Sequence, residues 1–165
     1  MPDPDFSTFP LRQKGNRYQD FEEGRTFQHH WGRTLSEADN ALFATATMRF
    51  TPLYFNAEYA RAHGHDSVVI DPLLVLCTVV GMSVEDLSEG GGPFLGVNDV
   101  KFHRPVYPGD TITGKSRVVG RRESGSRPHF GIVTWETEAL NQHGEKVVSY
   151  QRTNLVAKRR AEATP

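Results

Sequence analysis

The chain has 165 residues, a length that fits one domain with a hydrophobic core and needs no disulfide or structural metal. Its 19 Lys and Arg residues balance 20 Asp and Glu residues, which argues against nucleic acid as the main partner. A single cysteine, Cys77, excludes an internal disulfide and a Cys-based zinc cluster. The longest apolar run is too short to span a bilayer, and no signal peptide is visible. We therefore expect a cytoplasmic protein that does not enter a membrane.

The two ends of the chain show no sustained hydrophobic periodicity. We expect a flexible tail over residues 1–16, one domain over residues 17–158, and a second flexible tail over residues 159–165. The domain opens with a mixed, aromatic segment, Thr26–Leu35, which predicts a strand.

Two helices are predicted next. Ser36 and Asp39 have the spacing of a capping box, in which a hydroxyl and a carboxylate accept the free N–H groups of a first helical turn. Asn56 and Gly64 bracket a second, short helix, because Asn is a good N-cap and Gly a good stop.

The third predicted helix covers Asp71–Leu87 and is apolar nearly all round, which is typical of a buried helix. The rest of the chain predicts four consecutive strands separated by turn sequences. They are Phe94–Tyr107, Thr111–Arg122, His129–Leu140 and Lys146–Ala157. An antiparallel sheet that curves around one apolar helix satisfies this order, so we predict a single α+β domain.

Four stretches of the domain carry a family pattern: Ser36–Asn40, Thr51–Arg61, Val106–Thr111 and Arg122–Pro128. In this order they resemble the MaoC-like dehydratase group of the hot-dog fold, over roughly residues 17–158. The last stretch, with the residues that follow it, is most similar to the branch acting on mesaconyl-, itaconyl- and methylmalyl-CoA-type thioesters. The resemblance implies an acyl-CoA or acyl-carrier-protein substrate, no cofactor, and a homodimer or larger oligomer.

The family's acid–base motif, Asp-x-Asn-Pro-(Ile/Leu)-His, positions a water and moves a proton to the α-carbon of an enoyl thioester. The register set by Pro52 places Arg49 at the Asp position and Tyr54 at the His position. Thr51 falls at the Asn position. Both acid–base positions of the motif are therefore changed in this chain.

Three residues are the candidates for catalysis. Arg49 stays protonated, so we expect it to bind a carboxylate or phosphate rather than act as a base, or simply to be a partly exposed arginine. Tyr54 suits a hydrogen-bond donor or general acid, with ordinary aromatic packing as the alternative. Asp71, at the head of the apolar helix, is either the base or only an N-cap.

Further residues are candidates for substrate binding. Thr51 and Asn56 belong to the motif region, and Arg122 and Arg127 lie on one connection where they could hold CoA phosphates or form a solvated rim. The seven histidines lack the spacing of a ligand set, so we expect no metal.

The function predicted by the resemblance is that of a hydratase or dehydratase, a lyase acting on an enoyl or 3-hydroxyacyl thioester with a second carboxylate on the acyl group. Two alternatives stay open. A thioesterase needs only one carboxylate and a water, which Asp71 could supply. A catalytically degenerate subunit could instead bind acyl thioesters without turning them over.

Overall fold

The computed structural model describes residues 14–159. Its elements are β1 (Thr26–Gln28), β2 (Arg33–Thr34), α1 (Glu37–Thr47), α2 (Ala57–Ala62), α3 (Pro72–Met82), α4 (Val84–Leu87), β3 (Phe94–Phe102), β4 (Thr111–Glu123), β5 (Phe130–Leu140) and β6 (Lys146–Ala157). Short 3₁₀ turns cover Tyr18–Asp20 and Pro52–Tyr54.

The sheet is antiparallel, with the strand order β1–β4–β5–β6–β3, and β2 pairs with the start of β4. The long hairpins β4–β5 and β5–β6 form its centre. On β5 every second residue from Gly131 to Ala139 is buried, as expected for a strand with one face on the core. The predicted α+β architecture, an antiparallel sheet packed against a central apolar helix, is confirmed.

The central helix α3 lies on the inner face of the sheet. Val75 and Val79 point into a core cluster formed with β4, β5 and β6. Leu73 is 39% exposed and Cys77 is also exposed, so the chain alone covers only one face of this apolar helix. A second cluster fills the other end of the sheet, around Phe21 and Trp135.

Most predicted elements are confirmed, including the capping box of α1 and the Asn56 cap of α2. The predicted first strand is wrong as one piece, because the chain leaves the sheet between β1 and β2. The third helix breaks at Ser83, whose hydroxyl donates to the carbonyl of Val80. Strand β3 ends at Phe102 rather than Tyr107, since Pro105 has no N–H for a ladder.

The ends of the domain differ slightly from the prediction. Within the predicted N-terminal tail, Asn16 donates to the carbonyl of Asp86 at 2.7 Å, so residues 14–16 pack on the domain. Arg159, assigned to the C-terminal tail, forms an ion pair with Asp20. Residues 1–13 and 160–165 of the two predicted tails lie outside the described residues. Within the described range, no helix is both long and apolar enough to cross a membrane.

Candidate active site

Asp71 forms the N-cap of α3. Its Oδ1 accepts a hydrogen bond of 2.8 Å from the Leu73 N–H, and Pro72 fills the first helical position, where no N–H is needed. The predicted cap is therefore confirmed. The Asp71 side chain is only 1% exposed, which makes it a buried carboxylate that requires a partner.

That partner is Arg49, which directly follows the end of α1. Met48 ends the helix in a left-handed conformation with φ of 54°, and this turn directs the chain back towards α3. The Nε of Arg49 lies 2.5 Å from the free Oδ2 of Asp71. The hydrogen bond with Tyr54 and the negative charge of Asp71 raise the pKa of Arg49 above its usual value. Arg49 is thus fixed as a cation.

Tyr54 completes the group. It ends the 3₁₀ turn that starts at Pro52, and its N–H donates to the carbonyl of Thr51 at 3.0 Å. The Tyr54 hydroxyl accepts from Nη2 of Arg49 at 3.5 Å, and the guanidinium carbon lies 5.5 Å from the centre of its ring. The structure therefore brings together the three candidates Arg49, Tyr54 and Asp71.

Asn40 holds this arrangement in place, although the sequence analysis assigned it no role. It is 1% exposed on α1, and its Nδ2 donates to the carbonyls of Tyr54 at 2.6 Å and Val69 at 2.8 Å. Its Oδ1 accepts from the Asp71 N–H at 2.8 Å. An amide on the inner face of a helix was the only signal in the sequence, because these partners are distant along the chain.

An apolar cavity lies beside the start of α3. It is small, with a volume of about 30 Å³, and it opens to solvent. Its walls include Ile70, Pro72 and Val75 from the helix region and Phe102 and Val147 from the sheet. The charged group at Asp71 and this small cavity therefore lie at the same end of the central helix.

The other predicted binding residues are not all near this group. Thr51 is exposed at the start of the same 3₁₀ turn, and Asn56 is exposed and accepts from the Tyr59 N–H at 3.0 Å. Arg122 and Arg127 are exposed at the β4–β5 hairpin, at the opposite end of the sheet. Ile112 lies near α3, and Arg122 follows it ten residues later on the same strand. This separation corresponds to roughly 33 Å along the strand. One copy of the chain does not bring these arginines to Arg49.

The sequence model of the mesaconyl-CoA hydratase family matches residues 7–165. The chain belongs to the mesaconyl-CoA hydratase family. It is 42% identical over 154 residues to the mesaconyl-CoA hydratase of Haloarcula hispanica, which covers 93% of this chain and 43% of that protein. It is 34% identical over 145 residues to the beta-methylmalyl-CoA dehydratase of Chloroflexus aurantiacus, covering 88% and 41%. The resemblance found in the sequence is thereby confirmed.

A solved structure agrees with this assignment. A MaoC domain protein from Chloroflexus aurantiacus J-10-fl superimposes with a TM-score of 0.86 at 33% identity, covering 94% of this chain and 44% of that one. The chain therefore spans less than half the length of these relatives.

The three site residues differ in the chemistry that each can supply. Arg49 cannot accept a proton. Oδ1 of Asp71 accepts from the Leu73 N–H, and the buried Oδ2 has an ion-pair contact with Arg49 but no hydrogen bond of good geometry. The Tyr54 hydroxyl is the one neutral proton donor of the three. The arrangement is suited to binding an anion and donating a hydrogen bond, and it lacks a solvent-accessible base.

A second polar cluster, which the sequence analysis also missed, lies beneath the other end of α3. His29 is buried, with Nδ1 2.7 Å from Asp86 and Nε2 2.8 Å from the Ser116 hydroxyl. Nearby, Arg152 is 3% exposed and donates to Ser83 at 2.8 Å. Burial lowers the pKa of Arg152. These groups connect α3 and α4 to the sheet.

Proposed function

We propose that this chain takes part in the reversible hydration of an enoyl-CoA thioester whose acyl group carries a second carboxylate. The family match over residues 7–165 is the observation that carries this proposal. Hydration adds a hydroxyl group to the β-carbon and a proton to the α-carbon, and dehydration removes both. Neither direction changes the net oxidation state, so the reaction itself requires no redox cofactor. A CoA thioester also fits the cytoplasmic location expected from the sequence.

Tyr54 is the residue best placed to act on the thioester. Its hydroxyl lies beside the Arg49 cation, at the partly exposed mouth of the site. A phenol in this position can donate a hydrogen bond to the thioester carbonyl, where negative charge develops when the α-carbon accepts or loses a proton. We assign Tyr54 this role. We propose that Thr51 and Asn56, which are exposed near Tyr54 in the chain, contribute to substrate binding.

Binding of the CoA moiety requires positive charge at some distance from the acyl group. Arg122 and Arg127 are exposed and supply such charge at the β4–β5 hairpin. Because one copy keeps them far from Arg49, they would hold the phosphates of a CoA whose acyl group enters another copy or a second unit. We propose this shared arrangement for the assembled protein.

A second candidate function is favoured by the changed motif. With Arg49 and Tyr54 at the acid–base positions, the chain would bind the acyl thioester while a separate hot-dog unit supplies the Asp and His. The length of the relatives, more than twice the matched segment, leaves room for such a unit. This function predicts acyl-CoA binding without turnover by the chain alone.

The proposal is tested by incubating the protein with mesaconyl-, itaconyl- and crotonyl-CoA while the enoyl absorbance is followed. We expect turnover with at least one dicarboxylic substrate, and we expect Tyr54→Phe to lower kcat on the order of 10²-fold. Binding without any turnover supports the binding-subunit function. Release of free thiol would identify a thioesterase instead, because hydration leaves the thioester intact.

A further inference from the structure

The guanidinium of Arg49 has one buried edge and one open edge. Nε is buried and faces Asp71, yet the Arg49 side chain as a whole is 36% exposed. The exposed part therefore includes the terminal nitrogens at the far end of the guanidinium. Nη2 makes one long contact of 3.5 Å with Tyr54, and for Nη1 the described residues provide no acceptor. The edge that best fits a carboxylate is thus open to a ligand.

Asp71 determines which edge is open. A free arginine samples many rotamers, and ordering its side chain costs free energy on binding. Here the buried carboxylate of Asp71 forms an ion pair with Nε at 2.5 Å, while its other oxygen accepts a hydrogen bond from the Leu73 N–H. The side chain of Arg49 is therefore oriented before a ligand arrives, which lowers the cost of binding.

Three exposed apolar side chains lie next to Arg49 or Tyr54 in the sequence. Met48 is 78% exposed and Phe50 is 66% exposed, on either side of Arg49 in the chain. Phe55 follows Tyr54 and is half exposed. When a ligand or a second unit covers these side chains, water is displaced from the guanidinium and its attraction for an anion increases.

We infer that Arg49 binds the free carboxylate of a dicarboxylic acyl-CoA through Nη1 and Nη2, and that Asp71 is the positioning residue that orients it. This inference rests on the proposed function, because it concerns the acyl group of the same thioester. Arg49, which stands where the family motif has Asp, would then bind an anion instead of acting as a base. This binding would make the site selective for acyl groups with two carboxyl functions.

Two unreactive ligands test this selectivity by binding alone. S-(3-carboxypropyl)-CoA and S-butyl-CoA are thioethers that differ only in a carboxylate replaced by a methyl group. Calorimetry with the full chain should give a Kd about 10- to 100-fold lower for the carboxylated ligand, the range expected for hydrogen bonds to a charged group. Arg49→Gln should reduce this ratio to about twofold, mainly by raising the Kd for S-(3-carboxypropyl)-CoA.

Matched variants distinguish an effect of Asp71 on the orientation of Arg49 from an effect on folding. Asp71→Asn retains the N-cap, so this variant should keep the fold. Its ratio of the two Kd values should fall to about the square root of the ratio measured for the unmodified chain. Because Arg49→Gln leaves Asp71 buried without its cation, the double variant Arg49→Gln/Asp71→Asn serves as a folded backup with both charges removed. Arg61→Gln, an exposed arginine on α2, is the control and should retain the full ratio.

Each outcome has a distinct meaning. Equal affinity of the unmodified chain for the two ligands, or a full ratio in the double variant, overturns the inference and leaves the proposed function standing. A full ratio in Asp71→Asn overturns the positioning role alone. Failure of both ligands to bind overturns the proposed function, and this inference with it.

Discussion

At the start of α3, three backbone groups depend on the side chain of Asn40. The carbonyls of Tyr54 and Val69 and the N–H of Asp71 all bond to its buried amide. Helix α1, the 3₁₀ turn and the N-terminus of α3 therefore meet at one residue. Asn40 therefore fixes the backbone at Tyr54 and Asp71, while Arg49 links their side chains.

We expect Asn40→Ala to lower the free energy of unfolding by about 3 kcal/mol, because it leaves buried backbone groups without partners, at roughly 1–3 kcal/mol each. Chemical denaturation measures this change. Ser126→Ala, at an exposed position of the β4–β5 hairpin, is the control and should stay within about 0.5 kcal/mol of the unmodified protein. If the two variants have the same free energy of unfolding, Asn40 does not organise the site.

At the scale of the element, helix α1 begins with a reciprocal cap. The Asp39 carboxylate accepts from the Ser36 N–H at 2.9 Å and from its hydroxyl at 2.7 Å. Arg33 adds a contact of 2.6 Å. The hydrogen bonds from Ser36 are the main cause that lowers the pKa of Asp39, with a smaller effect of Arg33. The ionised form of this carboxylate thus stabilises α1.

A lowered folded-state pKa fixes the sign of the pH dependence. The contribution of Asp39 to stability is fully present above its unfolded pKa of about 3.9 and is lost as pH falls through the folded value. We expect unmodified protein to exceed Asp39→Asn in unfolding free energy by about 1 kcal/mol at pH 6. Denaturation between pH 6 and pH 2.5 should show this difference shrinking. A difference that grows on acidification would contradict the assignment.

The elements that could be predicted from the sequence are those with local signals. The caps of α1, α2 and α3 depend on hydrogen bonds between residues no more than three positions apart. The long strands are indicated by side chains that alternate between the two faces of the sheet. The end of β3 and the break after α3 had weaker local signals. In the site, Pro52 gave the register of Arg49 and Tyr54, but Asn40 bonds to residues up to 31 positions away. Such contacts exist only once the chain has folded.

At the scale of the whole molecule, two surfaces lack a cover in the described chain. Strand β3 is at the edge of the sheet, and Phe94, Leu95 and Phe102 on it are each 44–51% exposed. The outer stripe of α3, with Leu73 and Cys77, is exposed as well. An uncovered edge strand with apolar side chains favours pairing with another strand. Both surfaces therefore favour association with a second hot-dog unit.

We predict that the chain forms a homodimer through β3, as the family resemblance implied. Light scattering should give about twice the mass of 18.5 kDa for one chain. Leu95→Lys combined with Phe102→Lys places two charges on the edge strand, so it should shift the mass towards that of a monomer, with the circular dichroism of the folded protein retained. Val119→Lys, an exposed apolar position on β4, is the matched control and should stay dimeric. A mass of one chain at every concentration of the unmodified protein would refute the dimer, and a dimer that survives both lysines would move the interface away from β3.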